Sequence, residues 1–227
     1  MIVFNDVTKT YSTGTIALNN ATFQVEDNDF IFLVGPSGAG KTTILKMILR
    51  QLIPTSGTIL INDQEITQKK FSEAEKLRLR QSIGVVFQDF KLLFDKNIVE
   101  NIAISLKVTD APKDRIKSEV DEALELVGLS SKKFMFPVQL SAGELQRVAI
   151  ARAIIGDRNI ILADEPTGNL DPKTTWEIMK IFKKLEGNKT ILIATHNVDI
   201  VNSFKKRVIT LNDGKITKDK REGKYEL

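Results

Sequence analysis

Short runs of apolar residues alternate along this chain with stretches in which apolar positions recur every three or four residues. Ile2–Val7, Ala21–Val25, Phe30–Val34, Thr58–Ile61 and Ile83–Phe87 read as strands in the first part of the chain. Ile160–Ala163, Thr190–Ala194 and Val208–Leu211 read as strands in the last part. Lys41–Leu49 and Pro172–Leu185 read as helices, the second with proline at its start and Gly187 just past its end. From about Ile98 to Ile155 the pattern is helical throughout. Ile116, Val120, Ala123, Leu124 and Val127 share one helical face there, and Gly128 is placed to stop that helix. Strands alternating with helices predict an α/β fold with a largely parallel sheet, and the strand-poor middle predicts a helical lobe inserted into it. No internal repeat or low-complexity linker breaks the pattern.

Composition narrows the chemistry. The 227 residues can bury a sizeable core, and 42% hydrophobic with 27% charged residues is ordinary for a globular protein. With no cysteine, disulfides, thiolate metal sites and cysteine nucleophiles are excluded, which fits a reducing compartment. The net charge of +4 is mild. The basic clusters at Lys205–Arg207 and at Lys215, Lys218, Lys220, Arg221 and Lys224 read as solvated surface, ahead of attraction to anionic headgroups or to nucleic acid. No apolar run approaches the roughly 18 residues that cross a bilayer. The N-terminal MIVFNDVTKTY lacks the apolar core of a signal peptide. The expectation is a cytoplasmic protein that reaches a membrane only through a partner.

The strongest chemical signal follows the strand Phe30–Val34. Gly35-Pro36-Ser37-Gly38-Ala39-Gly40-Lys41-Thr42 fits the G-x-x-x-x-G-K-[ST] pattern, between a buried strand and a helix, with Thr43 next in line. Glycines let the backbone curl so that successive N–H groups point at phosphates. Lys41 can reach the β- and γ-phosphates of a nucleoside triphosphate such as ATP, and the Thr42 hydroxyl can ligate Mg²⁺. A metal site also needs a carboxylate on a neighbouring strand. Asp164 stands at the C-terminal end of the apolar run Ile160–Ala163, where open α/β sheets bind ligands. Two adjacent acids can divide the labour there: Asp164 holds the metal, and Glu165 orients and deprotonates an attacking water.

A second turn, Leu140-Ser141-Ala142-Gly143-Glu144, opens another helix and offers free N–H groups to an anion. With it the chain resembles the nucleotide-binding subunits of ABC ATPases over nearly its whole length. Leu140–Glu144 is similar to the family signature, with Ala142 and Glu144 departing from the usual glycine and glutamine. Gln88 is similar to the Q-loop, Asp164-Glu165 to the Walker B pair, Gly168–Asp171 to the D-loop, His196 to the switch histidine, and Tyr11 to the aromatic residue that stacks on adenine. The resemblance implies a P-loop core with an antiparallel β subdomain at 1–90 and 156–227, and a helical subdomain at 91–155. It implies a catalytic set of Glu165, His196 and Gln88, and a metal set of Thr42, Gln88 and Asp164. It also implies a head-to-tail homodimer in which Ser141, Gly143 and Glu144, with Asp171, face the partner's ATP. Ala142 fits if its φ is negative, whereas a left-handed conformation would cost about 1 kcal/mol or more.

Three classes use such a site: a membrane-complex ATPase, a DNA- or ribosome-acting relative, and a P-loop kinase. There is no long coiled coil and no second cassette, and a kinase would leave Gln88 and His196 unexplained, so the first class is expected and nucleic acid is not. The stretch Val86–Asn101 is similar to the cell-division branch of the family more than to its lipoprotein-releasing or macrolide-exporting branches. That implies an FtsX-type integral membrane subunit docking near apolar residues Phe90, Leu93, Phe94 and Ile98, several of which are expected to be core, peripheral attachment to the cytoplasmic face, and control of peptidoglycan hydrolases outside. The alternative is the ATPase of a lipoprotein-release or efflux complex.

Overall fold

The computed structural model describes residues 1–68 and 70–225. Two sheets form the frame. The first runs through β1 (Ile2–Thr10), β2 (Ile16–Val25), β4 (Ser56–Ile61) and β5 (Gln64–Glu65), all antiparallel, in the order β2-β1-β4-β5. The second has β3 (Phe30–Val34), β6 (Ile83–Val86), β7 (Ile160–Asp164), β8 (Thr190–Thr195), β9 (Arg207–Asn212) and β10 (Lys215–Lys220), in the order β10-β9-β3-β8-β7-β6. Only β10 runs antiparallel in it.

The sequence of β3 explains the layering. All five residues of Phe30–Val34 are buried, and successive side chains point to opposite faces. Phe30, Phe32 and Val34 join one core with Val148, Ile150, Ile178 and Phe182. Ile31 and Leu33 join the other, with Ile44, Met47 and the antiparallel sheet's Ile2, Phe4 and Phe23. The parallel sheet is therefore sandwiched between α1 (Lys41–Ile48) with the small sheet on one side, and α5 (Ala142–Ile154) with α6 (Pro172–Leu185) on the other. The lobe between β6 and β7 contains α3 (Ile98–Lys107), α4 (Lys113–Leu126) and α5, packed on one another.

The middle of the chain is helical and the β3 and α6 bounds match their sequence patterns. Several elements went unread. Strands β1 and β2 run on through mixed polar residues to Thr10 and back to Ile16, because ladder hydrogen bonds between them carry what periodicity does not. Helix α2 (Glu73–Gln81) buries only Leu79 and rests on a Ser72–Glu75 capping box, so it shows no apolar stripe. Helix α7 (Val198–Phe204), capped by Asn197, is only seven residues long, too short to display a helical period although it buries Ile200 and Val201. The basic cluster from Lys215 proves to be the edge strand β10, whose lysines cover an open strand edge. The expected core extends formally to residue 227, and its last two residues lie outside those described.

Candidate functional site

Parallel pairing brings the strand ends together. Val34 lies opposite Thr195, Asp164 opposite Ala194, and Val86 opposite Ala163. The turns that leave these strands line one cleft: Pro36 to Thr43, Gln88, Asp164, Glu165, Gly168 and His196, with Tyr225. Gly35 backs the same turn, and its carbonyl accepts from Lys41 Nζ at 2.7 Å, as that of Pro36 does at 3.0 Å. Gly40 cannot be replaced cheaply. Its φ is +107°, and a Cβ there would lie 2.5 Å from the Ala17 carbonyl oxygen.

Thr42 donates its hydroxyl to Asp164 Oδ1 at 3.1 Å. The Asp164 carboxyl is pushed above its usual range, first by burial and then by the neighbouring Glu165 charge, with Thr42 and Lys41 pulling the other way. A half-buried carboxylate beside a hydroxyl, with its charge poorly compensated, suits a hard cation that takes its remaining oxygens from phosphates. Glu165 has a left-handed φ of +46°. Its N–H bonds the Ala194 carbonyl at 2.9 Å, and its carbonyl accepts from Gly168 N–H at 3.1 Å. That costs roughly 1–3 kcal/mol for a residue with a side chain, and the carboxylate meets His196, whose Nδ1 lies 2.7 Å from Glu165 Oε1.

The second turn stands apart. None of Ser141, Gly143, Glu144 and Asp171 lines the cleft, nor does Tyr11, which sits half-exposed in the turn between β1 and β2. Ser141 caps α5 in a capping box with Glu144. Lys132 Nζ lies 2.5 Å from Glu144 Oε1. That ammonium contact, more than the Ser141 N–H, holds the Glu144 carboxyl below its usual range. Ala142 is the first residue of the helix and is absent from the positive-φ residues, so its methyl costs nothing. Gly143 is the constrained position: a Cβ there would lie 2.3 Å from Thr174 Cγ2. Thr174 in turn is bonded by Asp171, the N-cap of α6, so the Ser141–Glu144 turn and Asp171 form one packed unit.

After Gln88 the chain turns through left-handed Phe90 and Lys91, whose carbonyls are held by Arg152 of α5 at 2.7 and 2.5 Å. Buried Asn101 then fastens the loop by bonding Leu93, Lys96 and Asn97 backbone groups. Of the apolar residues expected to face a partner, Leu93 and Phe94 are exposed, Phe94 at 59%, whereas Ile98 is fully buried as the first residue of α3 and belongs to the core. Phe134, Phe136 and Val138 add exposed apolar surface that was not anticipated, because it lies in and between short 3-10 turns without periodicity.

A P-loop, a strand-end acid pair and a separate helix-capping turn define an ATP-hydrolysing cassette, and the comparisons agree. The family described as ABC transporter matches residues 18–168, and the chain belongs to it. It is 47% identical over 226 residues to the cell division ATP-binding protein FtsE of Bacillus subtilis (strain 168), spanning 99% of this chain and 98% of that one. It is 43% identical over 227 residues to FtsE of Streptococcus pneumoniae (strain D39), spanning 99% and 97%. Its fold matches the dimeric structure of MJ0796, a bacterial ABC transporter cassette, with a TM-score of 0.88 at 34% identity, covering 99% of this chain and all of that one. It matches a post-hydrolysis state of the same cassette bound to ADP and Pi equally well, at 0.88 and 33% identity, with the same coverage. The chain is an ABC-type ATPase.

Proposed function

We propose that this ATPase is the cytoplasmic subunit of a cell-division membrane complex. Two copies close on ATP, and their opening and closing moves an FtsX-type membrane partner that controls peptidoglycan hydrolases outside the cell. The supporting observation is the separation of two half-sites. The cleft holds Lys41, Asp164, Glu165 and His196, while Ser141, Gly143 and Asp171 lie outside it as one packed surface that a second copy can use. The near full-length likeness to FtsE proteins supports the division role.

Within the cleft, the P-loop N–H groups and Lys41 bind the phosphate chain. Thr42, Asp164 and Gln88 would hold Mg²⁺, which would supply charge neutralisation for the phosphate chain. Glu165 accepts a proton from water as its oxygen bonds the γ-phosphorus and the bond to the β-phosphate oxygen breaks, releasing ADP and phosphate. His196 orients Glu165 through Nδ1 and leaves Nε2 for the γ-phosphate. The membrane partner docks on Phe94, Leu93 and the Phe134–Val138 surface next to the Gln88 loop, an apolar helix-in-groove contact.

Capture of the Glu165→Gln protein with ATP and Mg²⁺ from detergent-solubilised native membranes tests this. Recovery of an FtsX-type subunit is the expected result. A lipoprotein-release or efflux permease in its place would keep the ATPase mechanism and overturn the division role.

A further inference from the structure

The last described residues of the chain return to the catalytic cleft. After β10, Gly223 crosses so close to β9 that a Cβ would lie 2.6 Å from Val208 Cβ, and its N–H bonds the Lys206 carbonyl at 3.1 Å. Asn202 of α7 then grips Tyr225 at both backbone groups. Its Oδ1 accepts from Tyr225 N–H at 2.8 Å, and its Nδ2 donates to the Tyr225 carbonyl at 3.1 Å. A two-bond grip on one residue fixes where the side chain goes. Tyr225 is 4% exposed, packs with the core beneath the parallel sheet, and lines the same cleft as Lys41, Gln88, Glu165 and His196. Burial and the nearby Glu165 charge raise the phenol, so it stays a neutral donor. Its hydroxyl makes no hydrogen bond to the described residues and is not among the sealed unpartnered atoms of the core.

We propose that Tyr225 is a substrate-contacting residue of the ATPase site: the C-terminal strap from Gly223 carries its hydroxyl into the phosphate cleft, where it donates a hydrogen bond to the terminal phosphate of ATP. A neutral donor clamped by backbone bonds loses little freedom when it binds, and it distinguishes ATP from ADP by the one phosphate they do not share. The strap is anchored on α7, which follows His196 directly, so the switch histidine and the tyrosine are set by one short segment. This rests on ATP occupying the P-loop cleft, as proposed above.

Calorimetry with ADP and with a non-hydrolysable ATP analogue tests it on the full-length protein. Tyr225→Phe keeps the packed ring and removes the donor. It is expected to weaken analogue binding about tenfold, the scale of a hydrogen bond to a charged group, and to leave ADP binding unchanged. Asn202→Ala, which frees the strap, is expected to give the same selective loss. Equal analogue affinity in Tyr225→Phe and wild type overturns the proposal while leaving the P-loop reading intact. Tighter analogue binding in Asn202→Ala overturns it too, because the strap is then a plug. Failure of the wild type to bind either nucleotide overturns both readings.

Discussion

The two glycine-containing turns that open α1 and α5 are built on opposite plans. The turn at Gly35–Thr42 depends on backbone conformations and close approaches open only to glycine, and it sits beside a carboxylate, Asp164, whose burial makes its charge costly. The turn at Ser141–Glu144 is an ordinary capped helix start whose own acid, Glu144, is neutralised by Lys132. The first turn retains an unfavourable charge that a ligand can relieve. The second is satisfied without one.

Substitutions can break that contrast. The largest effect is expected from Glu165→Gln, which keeps the cleft and removes the base. Turnover should fall roughly 100-fold or more, and size-exclusion chromatography with ATP should show a persistent dimer. Gly40→Ala comes next, since it combines a left-handed φ with a backbone collision. A loss of about 2–4 kcal/mol is expected by denaturant unfolding. Gly143→Ala should cost less, about 1–3 kcal/mol, because the collision is with the movable Thr174 side chain. Its ATPase should fall further than its stability implies, as Thr174 carries Asp171 with it.

The charges give the finest test, and their signs are opposite. The raised Asp164 carboxyl means that its ionisation subtracts from stability above the ordinary carboxylate range. Asp164→Asn should therefore raise the Tm of the protein without nucleotide at neutral pH by a few degrees, while ending metal-dependent turnover. The lowered Glu144 carboxyl contributes stability that is present above the ordinary range and lost as pH falls through it. Glu144→Gln should accordingly flatten the acid side of the stability profile. Ala142→Gly, at the foot of the helix with a negative φ, should change stability by no more than about 0.5 kcal/mol and preserve the ATPase rate.

Legibility in the sequence follows the same physics. The P-loop and the strand Ile160–Asp164 were readable because each couples a buried apolar run to a turn with a fixed chemical demand. So was the helical lobe, since α4 carries a clear apolar stripe. Helix α2 was not, because a capping box and one buried leucine hold it. Ile98 stayed open between core and partner surface, because an apolar residue after a loop gives no sign of which way it faces; it is core. The close fit of Gly143 against Thr174 and the return of Tyr225 join positions far apart in the chain, and no local pattern records them. The basic C-terminal residues are exposed, as a solvated surface requires, but the same lysines also suit an edge strand, so their charge did not reveal β10.

Helix α5 begins at the signature turn and ends near Arg152, which holds the Phe90 and Lys91 carbonyls beside the Gln88 loop. Its 13 residues span about 20 Å. In the dimer and membrane complex proposed above, a stiff rod of that length joins the Ser141 turn to the loop after Gln88, with no chain of side-chain relays in between. Tilting the rod by a few degrees moves its far end by roughly an ångström. In that complex the helical lobe would work as a lever, its gearing fixed by the placement of Ser141 and Arg152 on a single helix.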